Sequence, residues 1–403
     1  MTDKVRRTRV VVAGAGPVGS VAASWLAQHG IDVVLAEAGG DAAQDLRAST
    51  FHPPTLEMLD EIGVTKDLIE MGLKAPVYHW RDRASGDSIA FDLGELSDKT
   101  DYPYRLQCEQ YHLAKMLSDR LAQLDNAEVL FDHRLVHFEE DADGIDVYLE
   151  TPLAIEKVRA DYLIGADGAS SIARKWLGIE FDGFTYPERF LTLSTAYPIE
   201  KDMPGLAHVN YVSDPQEWQV LLRVPSLWRV LVPAHEEDPA TLLSDEKKNA
   251  VFDGIVGDGR KVETAHRTIY RVHQRVAKQF RKGRVILVGD AAHLNNPLGG
   301  FGMNSGIHDA VNACRKLIPI LKGEEKDVDG ALDLYDRQRR TVTFDFTQRQ
   351  TIDNMELMRG GQQQAHERRR DSLAAIAADP ERRRAYLLRQ AMFESLEQAA
   401  SIT

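Results

Sequence analysis

The apolar residues of the chain follow two different periods. Four short runs rich in valine, leucine and isoleucine, at residues 9–13, 31–37, 160–165 and 284–288, contain few polar positions. Such continuous runs are typical of central strands in a parallel sheet, which is buried on both faces. Between the first two runs, apolar residues recur at helical spacing over residues 21–26. This pattern predicts a doubly wound α/β domain.

Elsewhere the apolar residues alternate with polar ones. Residues 78–81 and 88–91 predict two antiparallel strands joined by a turn, and residues 190–275 predict a larger antiparallel sheet. Alternation gives each strand two different faces, but it does not say which face lines a cavity. The change of period marks a second domain inserted into the first.

The chain therefore divides into three parts, of which two are discontinuous. They are a Rossmann-type nucleotide-binding domain (1–75, 100–180 and 276–340), an antiparallel-sheet domain (76–99 and 181–275) and a helical C-terminal segment (341–403). The polar tail carries one apolar stripe, whose members are Tyr386, Leu387, Leu388, Met392, Phe393 and Leu396. Packing within the chain is the favoured interpretation of the stripe, and a homodimer contact is the alternative.

Composition restricts the classes of partner. The 49 basic and 62 acidic residues give a formal net charge of −13, which disfavours binding to nucleic acid or to an anionic membrane surface. No apolar run reaches the roughly 20 residues that span a bilayer, and the glycine-punctuated strand behind the basic N-terminus does not fit a signal peptide. Two cysteines without metal-ligand spacing predict reduced thiols in a cytoplasmic protein and no metal site.

The first chemical motif directly follows the first apolar run. Gly14-Ala15-Gly16-Pro17-Val18-Gly19 lies between a predicted strand and helix, and Glu37 ends the next strand. In this context the glycines allow a tight turn, close approach of a pyrophosphate and helix packing, while the acid binds a ribose. A glycine-rich turn without a ligand is the alternative, and the motif does not identify the dinucleotide. A second glycine-rich stretch, residues 254–259, follows a helical pattern instead of a strand, so we expect one nucleotide-binding fold.

Two further motifs place an aspartate and a glycine at the end of a strand. Asp167-Gly168 follows the run at 160–165, and both a nearby ligand and an Asx turn that caps the next helix are open interpretations. Gly289-Asp290 leads into a glycine-rich loop at 295–304 and then a helix. Asp290 is expected at the carboxyl edge of the sheet, where ligands bind. Backbone N–H groups at such a helix start bind oxygen atoms that carry negative charge.

With these three motifs in this order, residues 8–340 resemble the single-component (class A) flavin-dependent aromatic hydroxylases, the family with the p-hydroxybenzoate hydroxylase fold. The resemblance implies a Rossmann-type FAD-binding domain with an inserted antiparallel substrate sheet and a helical tail. It implies FAD as the cofactor, and NADH or NADPH as a reductant that has no nucleotide fold of its own. It also implies molecular oxygen and a small aromatic substrate as partners.

The resemblance also assigns roles to individual residues. The first motif and Glu37 would hold the pyrophosphate and the adenosine ribose of FAD, Arg47 would lie near the phosphates, and Gln107 near the flavin's sugar chain. A solvated surface position is the alternative for Arg47. Asp290 would bind the ribityl hydroxyls, Pro297 would lie beside the isoalloxazine ring, and Asp167 is linked to both FAD and the nicotinamide cofactor. The expected cofactor-binding set is Gly14, Gly16, Val18, Gly19, Glu37, Arg47, Gln107, Asp167, Gly289, Asp290, Pro297, Gly299, Gly302, Met303 and Asn304.

The activity that the resemblance implies is hydroxylation of an electron-rich ring, of the phenol, hydroxybenzoate or hydroxypyridine type, through a C4a-hydroperoxide of the flavin. Because the cofactor does the oxygen chemistry, the protein has to position the ring, donate N–H groups where charge develops and exclude water. Pro297 is expected beside the flavin. A base near the phenol group is expected among His79, His208, Tyr211 and Arg223, and a structural role in a strand is the alternative for each of the four.

Two alternative functions stay open on the sequence. Another flavin oxidoreductase, such as an isoprenoid-quinone hydroxylase, an epoxidase or a halogenase, is the first. The halogenase motif Trp-x-Trp-x-Ile-Pro is absent from the chain, and the charged tail does not suit a membrane-quinone enzyme. The second alternative is an FAD-binding protein that senses or scaffolds without turnover.

Overall fold

The computed structural model describes residues 6–42, 48–214, 217–234, 238–359 and 363–403. The strands in chain order are β1 (Arg6–Arg7), β2 (Val10–Ala13), β3 (Val33–Ala36), β4 (Thr50–Phe51), β5 (Leu73–Ala75), β6 (Val77–Asp82), β7 (Ser88–Asp92), β8 (Arg105–Gln107), β9 (Ala127–Leu130), β10 (Arg134–Asp141), β11 (Gly144–Glu150), β12 (Ile155–Ala160), β13 (Tyr162–Gly165), β14 (Phe181–Thr195), β15 (Val209–Ser213), β16 (Gln219–Arg223), β17 (Trp228–Ala234), β18 (His266–Ala277), β19 (Arg281–Lys282), β20 (Val285–Leu287) and β21 (His293–Leu294).

The helices connect these strands and form the C-terminal segment. They are α1 (Pro17–Gln28), α2 (Pro53–Glu61), α3 (Thr65–Met71), α4 (Gln110–Leu121), α5 (Ile172–Trp176), α6 (Pro239–Leu242), α7 (Asp245–Val256), α8 (Phe301–Leu321), α9 (Val328–Val342), α10 (Arg349–Met358), α11 (Gln363–Ala378), α12 (Pro380–Gln390) and α13 (Phe393–Ser401). A π-helical turn, Thr343–Gln348, joins α9 to α10.

A six-stranded sheet in the order β19-β20-β13-β2-β3-β9 forms the centre of the nucleotide-binding part. Its strands pair in parallel except for β19 at one edge. Every residue of β2, β3, β13 and β20 is buried, as the continuous apolar runs predict. In the register of the sheet, Ala13 lies beside Gly165, and Gly165 beside Leu287. The three motifs that follow these residues therefore start at one edge of the sheet.

An eight-stranded sheet in the order β21-β18-β14-β17-β16-β15-β6-β7 forms the second layer. Neighbouring strands are antiparallel except for β15 and β6. One face packs Leu191, Leu221 and Val230 against Phe252 of α7. The other face carries Tyr211, Val220 and Leu231. The remaining strands form two small sheets, β1-β12-β11-β10 and β4-β8-β5.

One strand of the eight-stranded sheet, β14, is longer than the alternation indicates. β14 begins at Phe181, whereas the alternating pattern starts near residue 190. Its register with β18 shifts between Thr185 and Arg189, so a bulge interrupts the period of two. The division of the chain into three domains stays a prediction.

The C-terminal helices return to the eight-stranded sheet. α12 and α11 contact β7, and α13 contacts α9. Within the stripe of the tail, Leu387, Met392 and Phe393 are buried, and the Tyr386 hydroxyl accepts a hydrogen bond from Trp80 Nε1 at 3.1 Å. The stripe thus packs within the chain. None of the helices among the described residues combines the length and apolar character needed to cross a membrane.

The carboxylate of Asp309 in α8 connects three elements at the carboxyl edge of the parallel sheet. Its Oδ2 accepts hydrogen bonds from His293 Nε2 at 2.7 Å and from Gly289 N at 3.1 Å. Its Oδ1 accepts one from Arg339 Nε of α9 at 2.7 Å, and both partners of this ion pair are buried. Burial alone raises the pKa of Asp309, but His293 and Arg339 outweigh it, so the pKa lies below its ordinary value.

Replacing Asp309 with alanine leaves the Arg339 guanidinium buried without this carboxylate. We expect Asp309→Ala to lower the free energy of unfolding by about 3–5 kcal/mol, the usual cost of breaking a buried ion pair. Glu61→Ala is the control, since Glu61 and Arg315 pair at 2.6 Å with side chains that are 50% and 53% exposed, and such pairs contribute at most about 1 kcal/mol. Urea unfolding of the purified proteins measures both. Equal losses in the two variants would contradict this interpretation of the cluster.

Candidate active site

A continuous cavity of about 760 Å³ runs from the glycine motif to the eight-stranded sheet. Its volume lies in the range of roughly 300–1,000 Å³ that is common for ligand and cofactor sites. Gly14, Glu37 and Asp167 line one end, and Tyr211 and Leu231 line the other. The cavity therefore spans both large sheets.

The three glycines of the first motif meet different requirements. Gly14 has a φ of +104°, and a Cβ there would lie 2.4 Å from the carbonyl oxygen of Ala166. A Cβ on Gly19 would lie 1.9 Å from the carbonyl oxygen of Gly14, so the start of α1 packs on the turn only with glycine. Gly16 is different, because its φ is an ordinary −68° and a Cβ there would meet no atom within 4 Å. That free space belongs to the cavity, at the helix N-terminus where phosphates bind.

The carboxylates of Glu37 and Asp167 line the same end of the cavity and are held by backbone N–H groups. Glu37 accepts hydrogen bonds from Ala15 N at 2.8 Å and from Gly39 N at 2.9 Å. Asp167 Oδ2 accepts from the first two N–H groups of α5 at 2.6 and 3.0 Å, so this aspartate does cap a helix. Its Oδ1 is buried and has no hydrogen-bond partner among the described residues, as expected of an atom that meets a ligand.

The loop from Gly289 to the start of α8 forms the middle of the cavity wall. Its lining residues are Asp290, Leu294, Asn295, Pro297, Leu298, Gly300, Gly302 and Met303, with Val288 before them and Val18 opposite. α8 is 21 residues long and begins at this wall. The N–H groups and the positive end of its helix dipole are therefore available to a ligand with negative charge.

Asn304 and His52 hold this loop in place from behind. Asn304 Oδ1 accepts a hydrogen bond from His52 N at 2.9 Å, and its Nδ2 donates to the carbonyls of Thr50 at 2.8 Å and Gly300 at 2.6 Å. The ring Nε2 of His52 donates to the carbonyl of Gly299 at 2.8 Å. Asn304 and Gly299 do not line the cavity, so their position indicates that they shape the loop.

The other predicted cofactor residues either lie behind the residues that line the cavity or fall outside the described part of the chain. Gly19, Gln107 and Gly289 are buried and not among the lining residues. Gln107 Oε1 accepts from Thr50 Oγ1 at 3.0 Å, and its buried Nε2 has no partner among the described residues, which leaves a donor for a ligand. Arg47 lies outside the described residues.

The sheet end of the cavity is mainly apolar and aromatic. Its lining residues on the sheet are Thr192, Tyr211, Val220, Leu222, Arg229, Leu231, Tyr270, Arg271, Val272 and His273. Tyr211 stacks on Trp80 with ring centroids 4.7 Å apart, and its hydroxyl accepts a hydrogen bond from Arg105 Nη1 at 3.3 Å. Arg229 Nη2 lies 3.7 Å from the carboxylate of Glu109.

The strand register separates the four base candidates. Tyr211 faces the cavity, whereas His79 pairs with Asn210 and therefore faces the other side of the sheet. Arg223, which alternates with the cavity-facing Leu222, faces away as well, and His208 Nδ1 donates to a backbone carbonyl at 3.1 Å. None of these three lines the cavity. Their position supports the structural interpretation, and only Tyr211 is placed to touch a substrate.

Two arginines at this end, Arg105 and Arg229, were not among the residues predicted from the sequence. Arg105 is 1% exposed and Arg229 is 3% exposed, and both belong to strands that are buried throughout. A charged residue inside a short strand of otherwise apolar or amide side chains is the signal that could have identified them, because charged groups are seldom fully buried without a partner.

Cys108, Glu109 and His112 bring possible metal ligands within 4.8 Å of one another at the start of α4. Glu109, however, forms the ion pair with Arg229. Burial, with a smaller effect of Glu109, raises the pKa of the Cys108 thiol to about 12, which disfavours the thiolate that binds metals. We assign no ion to this cluster.

Comparison with known proteins identifies the family. Residues 7–350 match the family described as FAD binding domain. Para-nitrophenol 4-monooxygenase from Pseudomonas sp. (strain WBC-3) is 34% identical over 345 residues, which cover 84% of each chain. This chain belongs to the class A flavin-dependent aromatic hydroxylases.

Two further relatives extend the comparison. The 6-hydroxy-3-succinoylpyridine 3-monooxygenase HspB from Pseudomonas putida (strain DSM 28022 / S16) is 33% identical over 357 residues, or 87% of this hydroxylase and 88% of that protein. The crystal structure of p-nitrophenol 4-monooxygenase PnpA from Pseudomonas putida DLL-E4 superposes with a TM-score of 0.91 at 30% identity, over 97% of this chain and 99% of that one. The predicted fold, the FAD cofactor with NAD(P)H as reductant, and the aromatic monooxygenase activity are thereby confirmed.

The free space at Gly16 gives a test of the nucleotide end. We expect Gly16→Ala to fold normally but to bind FAD at least about tenfold more weakly, because the methyl group would occupy the space that a pyrophosphate needs. Gly19→Ala is the contrasting variant, since its Cβ meets a backbone oxygen and should impair folding itself. Circular dichroism and FAD titration of the apoprotein separate the two effects. Full FAD affinity in Gly16→Ala would contradict this placement.

Two buried histidines behind the loop predict how stability depends on pH. Burial, then Arg105, lowers the pKa of His52 well below 6.5, and burial lowers that of His308 to about 3, so both are neutral when folded. Below about pH 6.5 the unfolded chain binds protons that the folded chain excludes, so stability should fall as pH falls, by up to about 1.4 kcal/mol per pH unit and histidine.

Urea unfolding at several pH values between about 5 and 7 measures this slope. His308 Nε2 lies 3.0 Å from Thr55 Oγ1, and His308→Gln keeps a polar side chain there without the titration. This variant should show a shallower slope than the unmodified protein. An unchanged slope would exclude His308 as a source of the pH dependence.

Proposed function

We propose that this hydroxylase acts on a small single-ring phenol or hydroxypyridine. The observation that carries the proposal is the continuous cavity, which passes from the nucleotide end to an apolar and aromatic end. Two of its relatives are named for a nitrophenol and a hydroxypyridine. The sheet end offers few charged groups, which suits a flat aromatic ring with one or two polar substituents.

The residues around the cavity suit FAD along its length. The space at Gly16 suits the pyrophosphate, and Glu37 at the end of β3 suits the adenosine ribose. Asp167 Oδ1 and Gln107 Nε2, which lack partners among the described residues, suit polar atoms of the cofactor. Asp290 and Pro297 line the middle of the cavity, where the sugar chain and the ring system would lie. When bound, FAD supplies the redox and oxygen chemistry.

Residues of the chain itself position the substrate and surround it with suitable groups. The N–H groups at the start of α8 would stabilise negative charge beside them. Val220, Leu222 and Leu231 exclude water from the sheet end, and Tyr211 offers a hydroxyl group that faces the substrate space. Molecular oxygen and the aromatic ring are the proposed partners, and the net charge of −13 supports a protein that binds no nucleic acid. A homodimer stays a prediction, and the buried stripe of the tail is not its surface.

Anaerobic stopped-flow reduction of the holoenzyme tests this function. NADH and NADPH are compared, each with and without a panel of nitrophenols, hydroxybenzoates and hydroxypyridines. We expect one class of compound to raise the rate of flavin reduction at least about tenfold, a change of ~1.4 kcal/mol in the barrier. In air, the same compound should give hydroxylated product in proportion to the NAD(P)H consumed.

Two variants test whether the stimulation of flavin reduction depends on the sheet end of the cavity. Val220→Trp fills the sheet end and should abolish the stimulation while FAD stays bound, whereas His79→Ala, on the other face of the sheet, should keep it within about threefold. Reduction at one rate with every compound, or stimulation that survives in Val220→Trp, would contradict the proposed function.

A further inference from the structure

Arg105 is a fully buried cation next to the substrate end of the cavity. It lies in β8, which pairs with β4 and β5, and its side chain is 1% exposed. The guanidinium lies 4.2 Å from the ring centroid of Tyr78, and Nη1 donates to the Tyr211 hydroxyl at 3.3 Å. Among the residues that the structure describes, no carboxylate forms an ion pair with it. A buried charge of this kind is costly unless an anion compensates it.

Three titratable groups beside Arg105 are neutral, namely His52, Tyr78 and Tyr386. Burial, then Arg105, lowers the pKa of His52 well below its ordinary value, so the imidazole carries no charge at neutral pH. Burial raises the pKa of Tyr78 well above 10, and raises that of Tyr386 to about 12, so both phenols stay protonated. The buried carboxylate of Glu109 pairs with Arg229. Arg105 does not itself line the cavity, so an anion bound there would meet its charge through Tyr211.

The hydrogen bond between Arg105 and Tyr211 determines the direction of the tyrosine hydroxyl. A guanidinium has only donors, so the Tyr211 oxygen must be the acceptor in this contact. The Tyr211 proton then has to point elsewhere, and no acceptor for it is found among the described residues. Because Tyr211 lines the cavity and its ring stacks on the neighbouring Trp80, its O–H is available to an acceptor on the substrate.

We propose that Arg105 is a positioning residue that acts through Tyr211, turning its O–H towards the cavity so that the site selects the anionic, phenolate form of the aromatic substrate. This inference rests on the proposed function and specifies the substrate as a phenol that ionises readily. The phenol loses its proton to solvent before or during binding, and the Tyr211 hydroxyl donates to the resulting oxygen anion. Hydrogen bonds to charged groups of this type are among the stronger ones in proteins.

The test uses para-nitrophenol, whose anion and neutral form have different absorption spectra, with the oxidised holoenzyme and no NAD(P)H. At a pH below the pKa of the free compound, we expect the bound compound to show the spectrum of the anion. This measurement needs no variant, so it does not depend on whether a substitution is tolerated. Bound para-nitrophenol with the spectrum of the neutral form would overturn the proposal, even if the enzyme hydroxylates it.

Variants then attribute the effect to Arg105. Arg105→Gln keeps a donor but removes the charge, and we expect the dissociation constant of the anion to rise about tenfold or more. Arg105→Lys should recover most of that loss, and Tyr211→Phe should match Arg105→Gln. Tyr386→Phe is the matched control, because it removes a hydrogen bond from the same aromatic cluster and leaves Arg105 and Tyr211 intact. FAD content and the flavin spectrum establish that each variant is folded.

The outcomes distinguish this inference from the function on which it rests. Unchanged anion binding in Arg105→Gln, or an equal loss in Tyr386→Phe, would overturn the role of Arg105 while turnover of phenols by the unmodified enzyme still supports the function. If no phenol or hydroxypyridine stimulates flavin reduction, the proposed function fails, and this inference fails with it.

Discussion

The buried carboxylate of Asp309 is the interaction on which the arrangement of the site depends. It binds the backbone of Gly289, the ring of His293 and the guanidinium of Arg339, and thereby joins the end of β20 to α8 and α9. The glycine-rich loop lies between these anchors, and Asn304 and His52 hold its other side. A loop rich in glycine is costly to order, because glycine loses more conformational freedom than other residues. Its anchors stand outside the cavity, which leaves the backbone itself to face the ligand.

The second constraint is the alternation of side chains in the eight-stranded sheet. One face packs on α7 and gives the sheet a core of its own, and the other face closes the cavity and receives the C-terminal helices. Tyr211 and His79 lie on adjacent strands, one residue out of register, and so face opposite sides. The substrate end of the cavity is therefore formed by a few positions only, and among its polar residues Tyr211 is the one to which Arg105 donates a hydrogen bond. The hydrogen bond from Trp80 to Tyr386 shows that the tail packs on the same face, beside this wall.

The sequence patterns predicted the features that depend only on which residues follow one another along the chain. The glycine motif, Asp167 and Asp290 each follow a buried strand, and parallel strands bring their carboxyl ends to one edge. The features that depend on how distant segments pair could not be predicted from the sequence. The face of Tyr211, the register shift in β14 and the contacts of Arg105 and Asp309 all follow from how strands and helices meet, which a period of two or of 3.6 residues does not specify. For this reason the sequence did not show that three of the four candidate bases lie away from the cavity lining, whereas the cofactor candidates fall mostly on the cavity or directly behind it.

The most direct test of this account is a crystal structure of the enzyme with FAD and a bound phenol. The account predicts the pyrophosphate at Gly16, the flavin ring beside Pro297, and the phenol between that ring and the sheet, with its oxygen within hydrogen-bond distance of the Tyr211 hydroxyl. A phenol bound elsewhere, or one whose oxygen points away from Tyr211, would contradict the assignment of this cavity and the role of Arg105.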